Sequence, residues 1–128
     1  MVSKTVAVVN SNEDIIDGIR LILSEEGFNT VSGHVVSFKR GKDDIVAFLK
    51  KNNPDVVMYD MAPPYEENWT YLQTIKNLKE SKGRRFVVTT TNKNALKNLT
   101  GAKAMELLGK PYDIKEVIKK IKKAASSK

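Results

Sequence analysis

The stretch Pro54-Asp55-Val56-Val57-Met58-Tyr59-Asp60-Met61-Ala62-Pro63-Pro64 decides the fold. It is a short apolar run that delivers one carboxylate, Asp60, to its end and then turns at two prolines. Large and β-branched apolar residues bounded by Pro and Asp are the pattern of a buried strand. In an open α/β sheet, ligands and chemistry sit just beyond the carboxyl ends of the strands. Asp60 is therefore a candidate nucleophile or metal ligand. The competing reading is a capping or solvated carboxylate, and the rest of the chain has to choose between them.

Strand-like and helix-like segments alternate five times around this run. Thr5–Val9 reads as a continuous apolar strand, and Asp14–Glu25 as a helix with Ile15, Ile19, Ile22 and Leu23 on one face, ended by Gly27. Thr30–Val36 reads as a strand and Asp44–Lys51 as a helix carrying Ile45, Phe48 and Leu49. After the central strand come a helix over Asn68–Lys79, a strand over Phe86–Thr90, a short helix over Asn94–Leu99 and an extended segment over Ala104–Leu108. Asp113, with Glu116 three residues on, opens a final helix through a capping box, and Ile114, Val117, Ile118 and Ile121 form its stripe. The tail from Ala124 to Lys128 is expected to fray. Strands apolar at nearly every position, separated by short helices, imply a parallel sheet covered on both faces. The expectation is one small doubly wound α/β domain over residues 1–128, with five parallel strands and about five helices in three layers.

Composition narrows the chemistry. With no cysteine there is no disulfide and no thiolate site, and a single histidine, His34, argues against a histidine-based centre. No apolar run approaches the roughly 20 residues that span a bilayer, and no signal peptide opens the chain, so a cytoplasmic protein is expected. The net charge of +7 is uneven. Residues 1–64 carry 7 Lys/Arg against 9 Asp/Glu, and residues 65–128 carry 15 against 6. One basic face follows, suited to an acidic partner. It has no aromatic interleaving and no nucleic-acid motif, so nucleic acid is not the expected partner.

In order, these features resemble the receiver domain of two-component response regulators over essentially the whole chain. Val57-Met58-Tyr59-Asp60 followed by Pro64 is similar to the family's phospho-acceptor strand, and Phe86-Val87-Val88-Thr89-Thr90 to its fourth strand with a terminal hydroxyl residue. Lys110-Pro111-Tyr112 is similar to its Lys-Pro-aromatic signature, and Glu26-Gly27-Phe28 to the end of its first helix. The resemblance implies a flavodoxin-like sheet and no enzyme activity beyond self-catalysed phosphotransfer. It implies Asp60 as acceptor, Thr90 as the hydroxyl donor, and Lys110, after a cis Lys-Pro bond, as the positive charge on a phosphoryl oxygen. A histidine kinase or phosphotransfer protein would be the donor. Phosphoryl transfer of this kind rests on positioning and electrostatic stabilisation more than on covalent chemistry by the protein.

The chain also departs from the family. Where the resemblance implies an acidic pair that binds Mg²⁺, this sequence has Asn10 and Ser11. The implied metal set becomes Asn10, Ser11, Asp60 and the Ala62 backbone carbonyl, and its formal charge falls from −3 to −1. A unit charge about 4 Å away is worth about 4 kcal/mol at an effective dielectric of 20, so Mg²⁺ should bind far more weakly. Glu13, Asp14, Glu66 and Glu67 are the available substitutes; equally, they suit the positive ends of the first and third helices. Thr91 stands where a small residue is usual, and Leu107 where the family has a rotating aromatic. The connection Val36-Ser37-Phe38-Lys39-Arg40-Gly41-Lys42 is longer than a compact receiver needs, as a basic contact loop or an idle insertion.

Two functions follow. In one, an atypical single-domain receiver takes a phosphoryl group on Asp60 with weakened Mg²⁺ dependence. In the other, a pseudo-receiver holds a partner without phosphotransfer. With no output domain in the sequence, either would act through other proteins. The resemblance implies a partner surface on the fourth helix, fifth strand and fifth helix, where Lys97, Lys103, Lys115, Lys119 and Lys122 lie; a homodimer could use the same face.

Overall fold

In the computed structural model, residues 4–90, 106–109 and 114–126 are described. The strands are β1 (Thr5–Asn10), β2 (Asn29–His34), β3 (Val56–Met61), β4 (Arg85–Thr90) and β5 (Glu106–Gly109). They form one parallel sheet in the order β2-β1-β3-β4-β5. The helices are α1 (Glu13–Glu25), α2 (Val35–Lys39), α3 (Ile45–Asn52), α4 (Tyr65–Lys76) and α5 (Ile114–Ser126). Parallel strands need covered crossovers, and the two faces of this sheet are covered by different helices. Val6, Val8, Val56, Met58 and Val87 pack on Ile16, Ile19 and Leu23 of α1 and Val117 and Ile121 of α5. On the other face, Ala7, Val9, Val57, Tyr59, Met61 and Val88 pack on Phe38 of α2, Leu49 of α3, and Leu72 and Ile75 of α4. This three-layer α/β arrangement is the flavodoxin-like fold.

Side chains alternate between faces along a strand. All six residues of β3 are buried, so Asp60 continues the face of Val56 and Met58 toward α1 and α5. By the same alternation Asn10 follows Val6 and Val8, and Thr89 follows Val87. Three polar side chains therefore end the α1–α5 face at the carboxyl edge of the sheet, and each is at most 9% exposed.

Three sequence boundaries are corrected. The second strand stops at His34, and Val35–Lys39 is a helix. The Val35-Val36 pair suggested a strand, but Val35 and Phe38, three residues apart, share the buried side while Val36 is 42% exposed. Spacing for a core-facing helix outweighs β-branching. The expected long loop is thus a helix closed by a tight turn, in which Gly41 takes φ 76° and Ser37 O accepts the amides of Lys42 and Asp43. α4 starts at Tyr65, directly after Pro64, and Leu78 leads into a 3-10 turn at Lys79–Ser81. α5 runs to Ser126, and buried Ala124 holds its last turn against the core where fraying was expected. The cis bond among the described residues is Pro63–Pro64. The Lys110–Pro111 bond and the Asn94–Leu99 helix lie outside them.

Candidate functional site

Asp60 is 9% exposed and its Oδ1 accepts a 2.9 Å hydrogen bond from Thr89 Oγ1. Thr89 is also its Cα partner in the β3–β4 register. The expected donor, Thr90, is one residue off. It pairs with Met61 and is fully buried, and alternation turns it to the α2–α4 side. A run of three threonines hid the choice; counting in twos from Val87 would have selected Thr89. Lys110, Thr91, Lys97 and Lys103 lie outside the described residues.

Asn10, 4% exposed, is held by its own turn: its Oδ1 accepts the amides of Ser11 at 2.7 Å and Asn12 at 3.1 Å. Asn12 then caps α1 by accepting the Ile15 amide at 3.2 Å. Ser11 is exposed. Two residues past Asp60, the Ala62 carbonyl accepts 2.7 Å from Asn68 Nδ2 of α4. Asn68 Oδ1 in turn accepts from Lys39 Nζ of α2, which also lies 5.8 Å from the centre of the Tyr71 ring. The loop after the carboxylate is thereby fastened to α2 through two side chains that the sequence did not single out.

The substitute carboxylates are placed elsewhere. Glu13 Oε2 pairs with His34 Nε2 at 2.8 Å across the ends of α1 and β2. Asp14, Glu66 and Glu67 are exposed in the first turns of α1 and α4, where they complement the helix dipoles. Among the described residues, no three His, Asp or Glu side chains gather as a metal cluster. Beneath the site, burial pushes the Tyr59 hydroxyl well above its ordinary pKa, and the charges of Tyr71 and Asp60 push the same way.

Comparison with known proteins gives this geometry its family. Residues 6–122 match the model of the response regulator receiver domain. The chain belongs to that family. Among solved structures, a chemotaxis response regulator of Vibrio cholerae matches at 17% identity and TM-score 0.75, covering 96% of this chain and 99% of that one. A response regulator from Thermotoga maritima matches at 22% and 0.75, covering 98% and 100%. The N-terminal receiver domain of a Bacteroides fragilis response regulator matches at 21% and 0.75, covering 99% and 100%. At such identities the likeness is one of fold. A search of curated proteins finds no match. The chain is thus a receiver domain of two-component signalling, and no helix of the described residues is long and apolar enough to cross a membrane. Receiver domains are signalling modules that contact histidine kinases and downstream effectors, and they generally bind Mg²⁺ at the phosphorylation site.

Proposed function

We propose that this receiver domain acts as a protein-interaction module whose Asp60 site is held by internal hydrogen bonds, without the family's divalent ion and without obligatory phosphorylation. The supporting observation is the donor set. Mg²⁺ demands near-ideal octahedral oxygen ligands and gives up water reluctantly. Here one carboxylate, Asp60, is offered. Asn10 Oδ1 already receives two backbone amides and Ala62 O already receives Asn68. That set does not fit the ion.

The second reading, a phosphoryl acceptor at Asp60, draws its support from Thr89. A carboxylate buried at a strand end beside a hydroxyl donor suits an acyl phosphate, with a carboxylate oxygen forming the new P–O bond as the donor's bond breaks. Lys110 would supply the compensating charge.

Incubation with acetyl phosphate and Mg²⁺, followed by intact mass measurement, separates the two. The first reading expects no phosphoryl adduct under conditions that label a receiver with an intact acidic pair. Stoichiometric labelling that disappears in Asp60→Asn would replace it with the second. The exposure of Lys115, Lys119 and Lys122 supports a partner contact on the lysine side of α5. Reversing Lys115 and Lys119 to Glu should weaken capture of an acidic partner without unfolding the domain.

A further inference from the structure

β2 is an edge strand: on its outer side no strand pairs with it among the described residues. Between it and α3 lies an open groove of about 470 Å³. That is within the usual range of ligand sites, on the order of 300–1,000 Å³. Its apolar floor is Val31 with Phe38 and Phe48, whose rings meet edge to face at 5.2 Å. The floor depends on Gly33, since a Cβ there would sit 2.6 Å from the Phe38 ring.

The groove is charged in opposite senses at its two ends. Asp43 and Asp44 line it at the start of α3, beside the end of β2, and Lys51 lines it at the finish of α3. α3 has 8 residues, so these ends are about 12 Å apart. Extended chain covers that distance in about four residues. The strand edge supplies the backbone pairing. Arg20 already takes the Thr30 carbonyl at 3.2 Å and the Thr30 and Ser32 hydroxyls, so the part open to a new strand runs on through Ser32 to His34.

We propose that this groove binds an extended peptide segment as a short added strand on β2. The segment's basic side chain meets Asp43 and Asp44 over the phenylalanine floor, and its acidic side chain, about four residues away, meets Lys51. A strand edge offers main-chain donors and acceptors at the repeat of a peptide backbone. An aromatic floor beneath carboxylates favours an arginine or lysine. The opposed end charges set the direction in which the peptide lies. The site is on the far side of β1 from Asp60, and its occupancy does not require phosphorylation.

The test is fluorescence anisotropy with labelled, end-blocked Val/Thr peptides carrying Arg and Glu about four residues apart in either order, with amide NMR to locate the contact. One order should bind saturably and shift Ser32, His34 and Phe48. Asp43→Lys and Lys51→Glu should each weaken it at least about tenfold. The double reversal should bind the opposite order instead. Asp44 Oδ1 caps α3 by accepting the Val46 and Ala47 amides, so Asp44→Asn, which keeps that acceptor, should weaken binding without altering the melting temperature. No saturable binding in either order, shifts confined to α5, or affinity indifferent to both reversals would overturn the proposal.

Discussion

Thr89 Oγ1 donates a 2.9 Å hydrogen bond to Asp60 Oδ1, joining neighbouring strands at the carboxyl edge of the sheet. Both residues are nearly inaccessible, Thr89 at 1% and Asp60 at 9%. A donor removed from a buried charged acceptor costs about 1.5–3 kcal/mol. Thr89→Val, which keeps the shape, should lower urea-unfolding stability by that amount, and Thr89→Ser should recover most of it. Equal stability of the valine variant would mean that the bond contributes nothing.

Tyr59 gives the domain an alkaline limit. Its folded hydroxyl is raised chiefly by burial, so the unfolded chain releases this proton near the ordinary pKa of about 10 while the folded chain keeps it. The unfolded state then binds fewer protons, and stability falls as pH rises above about 10, by at most about 1.4 kcal/mol per unit from this group. Below that value the contribution is fully present. Tyr71, also raised by burial, adds to the same slope. Urea unfolding of Tyr59→Phe at about pH 9 and pH 11 should show a shallower loss than wild type; identical slopes would contradict this.

Gly33 and Phe38 form a steric pair. A methyl group at 33 would meet Phe38 Cε2 at 2.6 Å, and the ring is braced by Phe48. Gly33→Ala should cost about 1–3 kcal/mol by overpacking. In a Phe38→Leu background the same change should cost measurably less, a coupling that a double-mutant cycle by thermal unfolding reads directly.

Carboxylates introduced at positions 10 and 11 should strengthen cation binding beside Asp60. Asn10→Asp keeps an acceptor for the Ser11 and Asn12 amides, and Ser11→Asp adds charge at an exposed position. With each unit charge worth up to about 4 kcal/mol near the ion, the double variant should bind Mg²⁺ at least about a hundredfold more tightly than wild type. Amide NMR can follow the titration. Equal affinities would show that carboxylates at positions 10 and 11 do not set the site's affinity.

The sequence disclosed what periodicity and composition control. β3 and its terminal Asp60 were legible because six buried positions lie between Asp55 and the prolines. α1 and α5 were legible through their apolar stripes, while Asp113 of the expected capping box lies outside the described residues. α2 was not, because Val35 and Val36 carry strand propensity and only the packing of Phe38 decides for a helix. Alternation along β4 selects Thr89, whereas position at the strand end alone favours Thr90. The Asn68–Ala62 and Glu13–His34 contacts depend on how loops approach across the sheet's edge, and no local pattern carries that distance.

Beryllofluoride, a mimic of aspartyl phosphate, shows whether the Asp60 site accepts a phosphoryl group when titrated with and without millimolar Mg²⁺ and followed by amide NMR. An internally bonded, ion-free site predicts no saturable shifts at Asn10, Asp60 or Thr89 under either condition. Saturable shifts at those residues that require Mg²⁺ would contradict it and make this a working phosphoryl acceptor.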